Sequence, residues 1–199
     1  GHGGSEATLY WKTDPALQMP DVFHCQLEFP VPTPEIAHMG VPEHGWMVFA
    51  GLSHPKSRGA LHLTGADPGD PVRIQANTLS HPDDVRAAHA TVELAREIAH
   101  APAFGRLLKR ETMPGVLSGP DMDRYLRDSA ITFWHQACTA KMGRDPLSVV
   151  DAQLRVHGID RLRIADASIM PNVTSGNTMA PCVVIGERAA EIIKAAHRI

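Results

Sequence analysis

The chain of 199 residues predicts an α+β fold, a mainly antiparallel sheet packed against helices. Two observations point there. Short alternating apolar segments occupy the chain up to about residue 74, and helical periodicity replaces them after residue 80. Prolines and turn clusters separate the early segments. The length permits one sizeable core or two small ones.

Phe23, Cys25, Leu27 and Phe29 alternate through residues 22–29, which predicts a half-buried strand. The prolines between Pro30 and Pro42 then forbid continuous helix or a central strand. The apolar run from Trp46 to Leu52 is short enough for a buried strand. Leu61–Leu63 and Val72–Ile74 add two more, with the turn-rich segment 65–71 between them, and the spacing favours a meander.

Ser80 is positioned to cap a helix in which Pro82 sits in the first turn, and Asp83 and Asp84 complement its positive end. Val85, Ala88, Val92, Ala95 and Ala99 line one face of it, and Pro102 ends it. A second helix is predicted from Pro120 to about Ser129, capped by Ser118, with Met122, Tyr125 and Leu126 inward. After Ile131 the pattern is extended up to His135. Leu154 and Val156, then Leu162 and Ile164, flank a turn at 157–160. A last helix starts near Pro181 and runs through Ile185, Ala189, Ile192 and Ile193.

Hydrophobic content of 43% and charged content of 21% are ordinary for a globular protein. A net charge of -3 provides no basic field for nucleic acid or an anionic membrane. No apolar run approaches the ~20 residues of a spanning helix. No secretory leader is visible after Gly1, and the three cysteines are scattered as reduced thiols would be, so a cytoplasmic protein is expected. With no initiator Met, a tag remnant or a cut from a longer protein is expected at residues 1–9. The twelve histidines form no metal-ligand spacing, so no metal site is assigned.

Chemistry concentrates in the last third. His135 follows Trp134 where the extended segment enters a small-residue turn ending at Met142-Gly143. An imidazole titrates near neutrality and can take a hydroxyl proton without a metal. In Asn177-Thr178-Met179-Ala180-Pro181, Asn177 or Thr178 can cap the terminal helix, which needs no ligand. The same tip, with its unpaired N–H groups, can also face an electron-rich ring. Asp166, at a strand end before Ala167 and Ser168, either begins a turn or accepts hydrogen bonds from sugar-like hydroxyls.

These segments, Trp134–Gly143, Leu154–Pro171 and Gly176–Pro181, together resemble the C-terminal signature of the glucose–methanol–choline (GMC) family of flavin-dependent alcohol oxidoreductases. Pro55–Gly59, Asp67-Pro68 and Asn77–Asp83 are similar to its substrate-domain pattern, so the resemblance runs from about Tyr10 to Ile193. It implies a substrate-binding domain at 10–148 and a segment completing the flavin site at 149–199. It also implies that His135 is the catalytic base while hydride passes to FAD. Asn177, Thr178, Met179 and Pro181 would line the isoalloxazine, and Asp166 and Ala167 the ribityl–pyrophosphate region. Trp134 and Met179, with Trp46, suggest an apolar wall for a small alcohol.

Two departures accompany the resemblance. Met179 stands where many members place a second His or Asn, and a thioether cannot donate a hydrogen bond. Asn177 or a water is left to supply that partner. No G-x-G-x-x-G occurs, so the part that holds the FAD adenosine half is expected in a missing N-terminal domain, and the fragment alone is expected to be inactive. The alternatives are a non-catalytic binding module that keeps this fold and, less supported, a metal-dependent hydrolase.

Overall fold

The computed structural model of the chain describes residue 5 and residues 7–198. They form two compact units, one of residues 1–59 and 74–131 and one of residues 60–73 and 132–199.

The first unit is built on a three-stranded antiparallel sheet in the order β1 (Thr8–Trp11), β2 (Val22–Leu27), β3 (Met47–Leu52). β1 was not expected. Thr8 pairs with Cys25 and Trp11 with Val22, so Thr8 and Leu9 are strand and not linker. Residues 1–4 and 6 of that expected linker lie outside the described residues. β2 stops at Leu27, two residues short of the alternation read from the sequence, as the chain bends toward Pro30. Phe23 lies opposite Gly51, and a Cβ on Gly51 would come within 2.2 Å of the Phe23 ring. A glycine there is what lets the ring lie flat on β3.

Val22 and His24 alternate onto the buried side of β2. That side meets α1 (Pro82–Ala99), where His24 Nε2 and Thr91 Oγ1 share a hydrogen bond of 2.6 Å. The cap of α1 is His81, not Ser80: its Nδ1 accepts from the Asp83 N–H at 3.1 Å. Pro82 occupies the first helical position, which fixes the residue before it as the cap. Asp84, expected only to complement the helix dipole, is buried and accepts from the N–H groups of Lys56 (2.8 Å) and Ser57 (2.7 Å). The expected meander does not continue past β3. β4 (Ala60–His62) and β5 (Arg73–Gln75) pair instead as a separate two-stranded sheet.

α2 (Gly119–Ser129) starts where Ser118 was expected to cap it, although the Ser118 side chain makes no capping bond. Met122 and Leu126 face inward as read and join Leu79 and Ala88 in the core of this unit, with Val85, Val92 and Tyr125 against them. The second unit has its own core of Val150, Leu154, Ile169 and Ala189, the last on α3 (Met179–His197). The stretches around Leu154 and Leu162 make only isolated bridges, Val150 with Val156 and Arg155 with Arg163. Positive φ at Leu154 (64°), Gly158 (76°) and Arg161 (60°) breaks the extended run into turns. Among the described residues, no helix is long and apolar enough to cross a membrane.

Candidate active site

The loop carrying His135 is irregular because its backbone turns left-handed twice, at Trp134 (φ 59°) and Cys138 (φ 74°). A bulky residue at such a φ costs on the order of 1–3 kcal/mol, which the surroundings must offset. Thr132 contributes to this, its Oγ1 accepting from the Trp134 N–H at 3.0 Å and from the Gln136 amide at 2.8 Å. Beyond the second kink the loop is fastened by alternate donors. The N–H groups of Cys138, Ala140 and Met142 reach the carbonyls of Ala167 (3.2 Å), Ser168 (2.9 Å) and Ile169 (2.7 Å). This ladder joins the His135 loop to the segment that contains Asp166.

Ala167–Ile169 form one turn of 3-10 helix with Asp166 as its cap. Oδ1 of Asp166 accepts from the Ser168 N–H at 2.8 Å. Hydrogen bonds from the Ser168 hydroxyl and then from its N–H hold the Asp166 carboxyl below the usual carboxylate range. One oxygen is thus engaged locally, as in a turn start, while the residue itself stays exposed.

α3 begins at Met179, two residues before Pro181, which therefore sits in the third helical position. A proline is tolerated there because first-turn N–H groups have no intrahelical acceptor. Thr178, the N-cap residue, makes no side-chain capping bond. The side chains of Asn177 and Thr178 both turn to His135. The Asn177 Nδ2 donates to His135 Nε2 at 2.9 Å, and His135 Nδ1 lies 3.0 Å from Thr178 Oγ1. Thr178 is only 7% exposed, His135 is half-buried, and the Phe133 ring meets the imidazole edge-on at 5.6 Å.

His135, Asn177 and Thr178 are therefore brought together, and Asp166 and Ala167 are tied to the same loop. Met179 and Trp134 are 72% and 70% exposed, so each presents apolar surface outward. Trp46 belongs to the other unit, where it stacks on Phe104 at 5.7 Å. Two residues of the site were not singled out in the sequence. Thr132, two before Trp134, carries the spacing of a hydroxyl-supported turn and was open to being found; the edge contact of Phe133 left no local signal. Among the described residues no group of three or more His, Cys, Asp or Glu is arranged to hold a metal. A hydroxyl standing in the place of the Asn177 amide would meet the in-plane lone pair of His135 Nε2, the atom of the ring able to take its proton.

The C-terminal model of a family described as GMC oxidoreductase matches residues 55–186. An alcohol dehydrogenase [acceptor] of Pseudomonas putida is 41% identical over 161 residues, covering 76% of this chain and 29% of that protein. An oxygen-dependent choline dehydrogenase of Pseudomonas aeruginosa is 37% identical over 192 residues, covering 95% and 34%. Among solved structures, pyridoxine 4-oxidase from Mesorbium loti superposes with a TM-score of 0.87 at 32% identity, over 94% of this chain and 37% of the other. An FAD-dependent oxidoreductase from Chaetomium thermophilum gives a TM-score of 0.72 at 27% identity, over 91% and 29%. The chain thus spans about a third of the length of these relatives.

Proposed function

The chain belongs to the GMC oxidoreductase family, and from that premise we propose that it is the C-terminal portion of an FAD-dependent oxidoreductase acting on the CH–OH group of a small alcohol. The relatives that bear alcohol dehydrogenase and choline dehydrogenase names support the substrate class. Under this reading an N-terminal domain of the same protein holds the FAD adenosine half.

The residues present fit a flavin. The N-cap residue Thr178 makes no side-chain capping bond, and the positive end of α3 would stabilise negative charge developing on a ring in front of it. Gly176 has open space where a Cβ would stand, which lets a planar group approach the backbone. Asn177, Thr178, Met179 and Pro181 would lie along the ring, and Asp166 and Ala167 toward the ribityl–pyrophosphate region. When bound, FAD supplies the hydride acceptor. Everything else falls to this chain. His135 takes the hydroxyl proton, and the exposed apolar faces of Trp134 and Met179 wall off the alcohol carbon from water.

The observation that carries the proposal is the pair of hydrogen bonds from His135 to the two residues that precede α3. It supports reading His135 as a base at the start of α3. The test uses the full-length protein. It should purify with, or be reconstituted to, a flavin absorbance spectrum and oxidise alcohols with oxygen or an artificial acceptor. His135→Ala should keep the flavin and lose ~10²–10⁴-fold in turnover, the usual cost of a positioned base. A colourless protein that cannot be reconstituted would overturn the cofactor; near-normal turnover in the variant would remove His135 from the mechanism.

A further inference from the structure

We infer that Thr178 is a positioning residue that, together with the donor at Nε2, fixes the tautomer of His135, holding the proton on Nδ1 and leaving Nε2 as the atom that accepts the substrate proton. The inference rests on the reading of His135 as the base and adds which nitrogen acts and what selects it.

A neutral imidazole has one N–H and one lone pair, and the hydrogen bond made by one nitrogen decides the state of the other. Two contacts on opposite sides of the ring agree here. Asn177 presents an N–H to Nε2 at 2.9 Å, which requires a lone pair on that atom. Thr178 presents a hydroxyl oxygen to Nδ1 at 3.0 Å, which accepts the remaining N–H. The opposite tautomer would set Nε2–H against the amide N–H of Asn177, donor against donor, and is disfavoured.

The two partners differ in burial, and this divides their roles. Thr178 is 7% exposed and its backbone carbonyl accepts the first bond of α3, from the Cys182 N–H at 3.0 Å. Its hydroxyl is therefore fixed in place with the helix. It also goes unused as a helix cap, although threonine is a favoured capping residue. Asn177 is exposed, so its side chain can swing aside when a substrate hydroxyl takes its place at Nε2. In that exchange the hydroxyl proton passes to Nε2. The ring becomes an imidazolium with donors at both nitrogens, and Thr178 Oγ1 remains the acceptor at Nδ1 throughout. An acceptor at Nδ1 stabilises the charged ring more than the neutral one, so its loss should weaken the proton transfer.

The test compares full-length holoenzyme variants. Thr178→Val removes the acceptor at nearly constant volume, and Thr178→Ser keeps it. In Thr178→Val, kcat should fall about 10-fold or more, within the ~10²–10⁴-fold ceiling set by complete loss of the base. KM should change far less than kcat, and the acid limb of the kcat profile should move to lower pH. Thr178→Ser should restore both rate and pH profile. Unchanged kcat and pH profile in Thr178→Val, in a protein where His135→Ala is inactive, would overturn the tautomer assignment and leave the base reading intact. Activity in His135→Ala would instead sink the base reading. Should Thr178→Val fail to fold, 15N spectra of the histidine-labelled wild type decide the matter, with His135 identified by its loss in His135→Gln. A protonated Nδ1 and a bare Nε2 support the assignment; the reverse overturns it.

Discussion

The Asn177 amide donates to Nε2 of His135 across 2.9 Å, although the two residues stand 42 positions apart in the chain. A side-chain amide supplies donors, whereas a thioether is only a weak acceptor.

Exchanging that donor for a charge should therefore be felt at the base. In Asn177→Asp a carboxylate faces Nε2 and favours the imidazolium, so the nitrogen stays protonated to higher pH. The acid limb of the kcat profile should move upward, with turnover at pH 7 reduced about 10-fold or more. A pH–rate series on the full-length holoenzyme checks this, and a limb that does not move counts against direct contact.

His24 should make stability fall as pH falls. Burial pushes its imidazole below the ordinary value of 6.5, and its Nδ1 has no hydrogen-bond partner. Above pH 6.5 both folded and unfolded forms are neutral and the full stability is present. Below it the unfolded chain takes up a proton that the folded site resists, so stability declines toward the lowered folded value. The drop in Tm between pH 7.5 and pH 5.5 should be smaller in His24→Gln than in the wild type.

Asp84→Ala should be strongly destabilising. Its carboxylate satisfies the N–H groups of Lys56 and Ser57, and the Ser57 hydroxyl donates to it at 2.5 Å. Removal leaves those donors without an acceptor, at a cost of about 3 kcal/mol. Denaturant unfolding measures it, and Asp84→Asn should cost less because one carbonyl oxygen remains.

Gly51→Ala should also destabilise, by about 1–3 kcal/mol, because a methyl at that position overlaps the Phe23 ring. Pairing it with Phe23→Leu should recover part of the loss in a double-mutant cycle, since the three nearest atoms all belong to that ring.

Much of the fold was legible from local pattern. α1 and α2 declared themselves by periodicity, with Pro82 and Pro120 in their first turns and Met122 and Leu126 facing the core as expected. β1 escaped notice because four residues with mostly exposed side chains carry little alternation. The stretch after Ile131 reads as extended, yet Trp134 and Cys138 turn it left-handed, a conformation that no residue type there announces. Thr178 looked like a helix cap or a flavin contact. Its side chain makes no capping bond, and its hydroxyl faces His135, a partner 43 positions away.

The amino-acid order was enough to mark the family and the α+β class, because motifs, caps and periodicity are properties of neighbours in the chain. Which side chains touch could be settled only by long-range closure. The ladder from Cys138–Met142 to Ala167–Ile169, together with the core of Val150, Leu154, Ile169 and Ala189, carries His135 to the start of α3. Directional bonds of about 3 Å depend on that folded geometry, and neither spacing nor composition encodes it.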